Sequence, residues 1–135
     1  MKTILVGYRV TDLERSLDFY TALGYVELGR VGGEDNCLAI LKFPDEPFAT
    51  LELVYRPGAG PVDVGGFDHL AIQVDALADT RERLVEAGLE PGPLEYPGGP
   101  DGPMVSWLSD PDGYRIELVQ WPPGHPDGLT AADFA

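Results

Sequence analysis

Apolar and polar positions along the chain describe the same succession of elements twice. Alternation at period two predicts strands, and apolar side chains at helical spacing predict helices. The first copy is a strand, a helix and three further strands, with predicted ranges 3–10, 11–24, 25–31, 37–43 and 50–55. The second copy has the same order, with predicted ranges 67–74, 75–87, 89–96, 104–109 and 114–120. Thr11 and Glu14 form a capping-box pattern, which places the helix N-cap at Thr11.

The two copies share one register. Val10 and Gly24 bound the first helix at the same spacing as Val74 and Gly88 bound the second. An internal repeat of this kind predicts two similar structural units. We therefore predict an α+β fold in which two βαβββ modules form a curved eight-stranded mixed sheet around a cleft. The single domain, 1–135, would consist of module one at 3–56, a Pro/Gly-rich linker at 57–66, module two at 67–120 and a tail at 121–135.

Three polar residues occupy related positions of the repeat. Glu52 and Glu117 each lie between two apolar residues of a strand, so both face the cleft if their neighbours pack under the helices. His69 lies on the first strand of the second module, where the first module has Leu5. Imidazole and carboxylate groups together suit Zn²⁺, Ni²⁺, Co²⁺, Mn²⁺ or Fe²⁺. The alternative is that the glutamates are solvated and the histidine is a hydrogen-bonded structural residue.

Charge and composition exclude several classes of function. The chain has 23 acidic against 9 basic residues and a net charge of −14, so it lacks the basic face that nucleic-acid binding needs. No apolar run approaches the roughly 20 residues that span a bilayer, so we expect no membrane association. The single cysteine, Cys37, excludes an internal disulfide and any cysteine-rich metal site. A cytoplasmic protein is the simplest interpretation.

Four segments carry a resemblance to a known family. They are residues 9–24 (Arg-Val-x-Asp-Leu-x-x-Ser-x-x-Phe-Tyr-x-x-Leu-Gly), 51–53 (Leu-Glu-Leu), 68–75 (Asp-His-Leu-Ala-Ile-x-Val-Asp) and 110–118 (Asp-Pro-Asp-Gly-Tyr-x-Ile-Glu-Leu). In this order and spacing the chain resembles the vicinal oxygen chelate superfamily, and within it glyoxalase I. The superfamily spans isomerases, ring-cleaving dioxygenases and drug-binding proteins, so the fold follows more directly than the activity.

The resemblance implies a site. Glu52, His69 and Glu117 match three metal ligands of glyoxalase I, whereas Leu5, at the first-strand position, cannot coordinate a metal. It implies a lactoylglutathione lyase-like reaction, in which a metal-chelated hemithioacetal passes through an enediolate. Glu117 would act as the base and Glu52 as its counterpart on the other face of the substrate.

The resemblance also suggests substrate contacts and competing functions. Arg9 and Arg56 match positions that contact a thiol cofactor or could bind a carboxylate. The competing hypothesis is a metal-free, bleomycin-resistance-like protein that binds a small molecule, which Leu5 and the acidic charge favour. A ring-cleaving dioxygenase is the third hypothesis, and Leu5 argues against it. We expect a small-molecule substrate or ligand and a homodimer, with the cleft formed either within one chain or across two.

Overall fold

The computed structural model describes all 135 residues, and they divide into two compact units that are considered separately. The first unit comprises Met1–Gly66 and Asp110–Gly113, and the second comprises Phe67–Ser109 and Tyr114–Ala135. No helix in the chain is long and apolar enough to cross a membrane.

The first unit contains a helix and a four-stranded sheet. Its elements are β1 (Val6–Val10), α1 (Leu13–Leu23), β2 (Val26–Gly33), β3 (Asn36–Lys42) and β4 (Leu51–Tyr55). The strand order is β1-β4-β3-β2, with β1 and β4 parallel and the other pairs antiparallel. The predicted strand and helix order of the first module is therefore observed.

The core of this unit lies between α1 and one face of the sheet. Apolar side chains from both elements are buried there: Tyr8, Val10, Leu13, Leu17, Tyr20, Leu23, Ala39, Leu41, Leu51 and Leu53. Residues of opposite alternation, such as Glu52 and Val54, are only half-buried. This second face, opposite α1, is called the first open face below.

The helix begins one residue later than the capping-box pattern predicts. Asp12 is the N-cap, and its side chain accepts a hydrogen bond from the backbone N–H of Arg15 at 3.0 Å. Thr11 instead contacts Asp112: its backbone N–H donates at 3.1 Å and its hydroxyl donates a second, short bond. Thr11 therefore hydrogen-bonds to the distant carboxylate of Asp112 instead of capping the helix. At the other end Gly24 takes φ 127°, a conformation that favours glycine.

The second unit contains a helix and a three-stranded sheet. Its elements are β5 (Leu70–Gln73), α2 (Leu77–Glu86), β6 (Met104–Ser109), β7 (Arg115–Gln120) and a short 3-10 helix (Ala131–Phe134). The strand order is β5-β7-β6, with β5 and β7 parallel and β6 and β7 antiparallel. The buried apolar residues include Ile72, Leu77, Leu84, Leu108, Ile116 and Leu118. The face of the sheet opposite α2 is the second open face.

One predicted strand does not form. Residues 89–96 make only an isolated bridge, between Glu95 and Val105. Pro91 and Pro93 lie in this segment, and proline has no N–H to donate to a sheet ladder. The structure therefore has sheets of four and three strands instead of one eight-stranded sheet, and the prediction was wrong in that respect.

Candidate functional site

Glu117 and His69 lie together on the second open face. Glu117 occupies β7 between Ile116 and Leu118, both of which are buried, so strand alternation turns its carboxylate to the other face. The Nε2 atom of His69 lies 3.3 Å from Oε2 of Glu117. The two side chains are 33% and 19% exposed, so the pair is accessible to a ligand while partly shielded from water.

His69 contacts a second carboxylate through its other nitrogen. The residue lies immediately before β5, and its Nδ1 atom is 2.5 Å from Oδ2 of Asp68. The hydrogen bond with His69, together with the charges of His69 and Arg115, lowers the pKa of Asp68. His69 therefore lies between two carboxylates, one on each ring nitrogen.

An aromatic ring and a cation complete this cluster. Trp107 on β6 pairs with Glu117 in the ladder, and its ring meets the imidazole of His69 edge to face, with centroids 5.1 Å apart at 79°. The guanidinium of Arg115 lies 4.2 Å from the centroid of the Trp107 ring. Such a cation–π contact helps to hold the indole ring of Trp107 in place, and the imidazole of His69 packs against this ring.

Glu52 lies on the first open face, in the other unit. Its neighbours Leu51 and Leu53 are buried, and its ladder partners are Gly7 and Ile40. A Cβ atom at Gly7 would lie 3.4 Å from Oε1 of Glu52, at ordinary van der Waals contact, so the carboxylate lies directly beside this glycine. Within the chain no group of three or more His, Cys, Asp and Glu side chains could hold a metal ion. The structure brings His69 and Glu117 together, and convergence of Glu52 with them stays a prediction.

The two arginines predicted to bind substrate both belong to the first unit. Arg9 uses two guanidinium nitrogens on the linker, donating to the carbonyl of Gly60 at 2.7 Å and to that of Pro61 at 2.6 Å. Arg56 is exposed and follows the last residue of β4. Arg9 therefore holds the linker, whereas the guanidinium of Arg56 faces solvent.

Comparison with known proteins identifies the family. The family model described as Glyoxalase/Bleomycin resistance protein/Dioxygenase superfamily matches residues 4–118. The chain belongs to this superfamily. An Escherichia coli lactoylglutathione lyase is 33% identical over 129 residues, covering 89% of this chain and 93% of the relative. An Arabidopsis thaliana lactoylglutathione lyase is 36% identical over 124 residues, covering 85% of this chain and 42% of the relative, so the chain spans less than half the plant protein's length.

Solved structures of the superfamily show the same fold. A glyoxalase/bleomycin resistance protein/dioxygenase domain from Frankia sp. EAN1pec has a TM-score of 0.74 at 26% identity, covering 93% of this chain and 95% of that one. A glyoxalase I variant from Zea mays has a TM-score of 0.69 at 35% identity, covering 86% and 43%. A bleomycin-binding protein complexed with bleomycin has a TM-score of 0.64 at 20% identity, covering 89% of this chain and 98% of that one, a likeness that concerns the fold alone.

The geometry of the pair fits the metal that glyoxalase I-like chemistry implies. A nitrogen and an oxygen bound to one divalent ion at about 2.1 Å each, with an angle between about 90° and 109°, are about 3.0–3.4 Å apart. The Nε2 and Oε2 atoms of His69 and Glu117 are 3.3 Å apart. These two residues therefore suit adjacent positions on one ion, while Leu5 offers no donor atom.

Sequence reasoning missed three members of the cluster. Asp68, Trp107 and Arg115 were not among the predicted site residues. Asp68 directly precedes His69 in the motif, and Trp107 pairs with Glu117 in the ladder and so lies on the same face. Their positions therefore gave an indication that both belong to the site. Arg115 lies two residues before Glu117 on the same strand and hence on the same face.

Proposed function

We propose that this protein is a glyoxalase I-like, metal-dependent lyase or isomerase that acts on a small oxygenated substrate, with a thiol adduct as the first candidate. The observation that carries the proposal is the separation of 3.3 Å between the Nε2 atom of His69 and Oε2 of Glu117, on an open sheet face. The lactoylglutathione lyase of Escherichia coli, whose length the chain matches almost completely, supports the same reaction class.

Glu52 would supply the third ligand. We propose that Glu52 joins His69 and Glu117 at one cleft, as the resemblance to glyoxalase I implies. The cleft would form within one chain or across a homodimer. A bound Zn²⁺, Ni²⁺, Co²⁺, Mn²⁺ or Fe²⁺ ion would polarise a carbonyl oxygen of the substrate, which makes the neighbouring C–H bond more acidic.

The carboxylates would carry the proton. Glu117 would take the proton from the carbon that bears the thiol and return it to the adjacent carbon, while Glu52 would face the opposite side of the substrate. The isomerisation would move the C–H proton to the adjacent carbon and the hydroxyl proton from the first oxygen to the second, so that the carbonyl shifts to the thiol-bearing carbon with no net oxidation. Trp107 would exclude water from one side of this path.

Substrate contacts would come from the first unit. Arg56 is exposed and free to bind a carboxylate of the substrate in a bidentate manner. Arg9 would contribute to substrate binding by shaping the pocket through the linker carbonyls that it holds. Because the chain has a net charge of −14, such an arginine would be needed to overcome long-range repulsion of an anionic substrate.

A second candidate function is metal-free binding of a small molecule. Leu5 and the acidic charge favour it, since an acidic cleft attracts cationic ligands. A ring-cleaving dioxygenase is disfavoured because its iron site would need a histidine where the chain has Leu5. The site we propose suits a cytoplasmic enzyme, where small oxygenated metabolites and thiols occur together.

Metal content separates the first two functions. We expect protein purified without chelator or affinity tag to carry one divalent ion per site by elemental analysis, and His69→Ala to lose it. Turnover of methylglyoxal would then be assayed with several thiols. A wild-type protein free of metal that also takes up no added Ni²⁺ or Zn²⁺ would contradict the enzyme hypothesis and favour the binding protein.

A further inference from the structure

We propose that Asp68 is a positioning residue that sets the tautomer and the ring orientation of His69. This inference rests on the proposed function, because the nitrogen that Asp68 leaves available, Nε2, is the one directed at Glu117. Asp68 would not touch the substrate or the ion, and it would act only through the imidazole.

The local backbone makes this contact possible. Adjacent residues of a regular strand point to opposite faces, so their side chains do not meet. Asp68 and His69 precede β5, which begins at Leu70, and their side chains lie 2.5 Å apart at Oδ2 and Nδ1. The turn at Gly65 and Gly66 lies just before them. The irregular segment before the strand therefore allows both side chains to reach the same side.

The hydrogen-bond partner of His69 determines which ring nitrogen carries the hydrogen. An ionised carboxylate accepts hydrogen bonds and cannot donate them, so the contact with Asp68 requires the hydrogen on Nδ1. In the neutral imidazole Nε2 then carries the lone pair, and it faces the carboxylate of Glu117 at 3.3 Å. A lone pair and a carboxylate oxygen at this distance repel each other unless a proton or a metal ion lies between them, and a divalent ion can take that place. The Asp68 contact thus prepares His69 to bind a cation jointly with Glu117.

Trp107 restricts the remaining freedom of the ring. Its edge-to-face contact with the imidazole limits rotation about the Cβ–Cγ bond. Removing a carboxylate that accepts a hydrogen bond from a metal-binding histidine typically weakens metal binding by about 10–100-fold. Asp68 is 82% exposed, so water competes for the Nδ1 hydrogen, and we expect the lower half of that range.

The experiment compares Asp68→Ala with Asp75→Ala, an exposed acidic residue of the same unit whose removal changes the charge equally. The first readout is the imidazole tautomer of His69, from ¹⁵N chemical shifts of the metal-free protein at a pH where the ring is neutral. We expect the Nδ1–H form in wild type and in Asp75→Ala, and a shift toward the Nε2–H form in Asp68→Ala. Asp68→Asn, which keeps a neutral acceptor, should retain most of the wild-type tautomer.

The second readout is Co²⁺ affinity, measured by the visible absorption of the bound ion. We expect Asp68→Ala to weaken binding about tenfold and Asp75→Ala to stay within about twofold of wild type. Wild-type tautomer and affinity in Asp68→Ala would overturn the inference and leave the proposed function intact. A wild-type protein that binds no Co²⁺ would instead overturn the proposed function, and the metal-related role of Asp68 with it.

Discussion

The hydroxyl of Tyr20 donates a hydrogen bond of 2.9 Å to Oδ2 of Asp110, a residue 90 positions further along the chain. Tyr8 donates in turn to Tyr20 at 2.5 Å, and all three side chains are buried. Burial, reinforced by Tyr8 and Asp110, raises the pKa of Tyr20 well above its usual value, so it remains a neutral donor. Asp110 begins the Asp-Pro-Asp-Gly turn, and this network holds the turn within the first unit.

Removing the Tyr20 hydroxyl should therefore destabilise the protein. Tyr20→Phe leaves a buried carboxylate oxygen and the Tyr8 hydroxyl without this partner, which costs about 1–3 kcal/mol. Urea denaturation should show this loss in the free energy of unfolding. Tyr96→Phe, at an exposed tyrosine, is the control and should change stability by less than about 0.5 kcal/mol. Equal effects of the two changes would show that the network contributes nothing.

The repeat and its strand alternation could be predicted because they depend on neighbouring residues. Glu52 and Glu117 face away from the helices because their neighbours are apolar, a pattern visible in the sequence. Thr11 shows where such reasoning fails. Its capping box is a local pattern, but the structure gives Thr11 a carboxylate 101 residues away, and no local pattern contains that contact.

The short strand β5 gives a second physical limit. The sequence predicts a strand over 67–74, yet the ladder covers only Leu70–Gln73. His69 therefore lies outside the regular strand, and its two carboxylate contacts depend on the backbone just before it. Periodicity predicts His69 on the same face as Glu117, and the structure places the two side chains 3.3 Å apart. It could not reveal Asp68, since alternation assigns adjacent residues to opposite faces.

Leu5→His should strengthen metal binding. Leu5 lies immediately before β1 and two residues from Gly7, which pairs with Glu52 and whose added Cβ would lie 3.4 Å from Oε1 of that residue. If the resemblance to glyoxalase I places Leu5 correctly, an imidazole there adds a ligand to Glu52, His69 and Glu117. We expect Co²⁺ affinity to rise by at least about tenfold. The control is Ile4→His, at an exposed position next to Leu5. The same increase in both variants would indicate unspecific binding by an added histidine.

Contacts of the C-terminal tail should weaken as the pH rises through the raised pKa of His125. His125 stacks on Trp121 at 4.6 Å, and its Nδ1 and Nε2 atoms contact the carbonyl of Pro126 and the carboxylate of Asp133 at 2.6 and 2.7 Å. Two acceptors require both ring nitrogens to be protonated. The hydrogen bond to Asp133 accordingly raises the pKa of His125 above 6.5. The resulting stabilisation is complete below the unfolded value and is lost as the pH rises through the folded pKa.

Hydrogen exchange checks this pH dependence. The amide of Thr130, which donates to Asp133 at 2.6 Å, should lose protection as the pH rises through the folded pKa of His125, beyond the intrinsic increase in exchange rate. His125→Gln should show low protection with no such pH dependence. The amide of Gly113 is an internal reference, because it donates to the carbonyl of Asp110 and contacts no titrating group of the tail. Unchanged protection of Thr130 through this range would contradict a charged His125.

The arrangement of the proposed site can be read from mixed dimers. Glu52→Gln and Glu117→Gln each remove one carboxylate from every site, and each alone should lower kcat by about 100-fold or more. If Glu52 of one chain serves the site containing the partner's Glu117, a dimer of one variant with the other has one intact site and one doubly altered site. Equal mixing, with exchange of subunits, should then restore about a quarter of the wild-type activity. If the site forms within one chain, every site in the mixture still lacks one carboxylate and activity stays low.

Mixing each variant with His69→Ala extends the test. Activity should be restored with Glu52→Gln only in the two-chain arrangement. Activity should not be restored with Glu117→Gln in either arrangement, because Glu117 belongs to the same unit as His69.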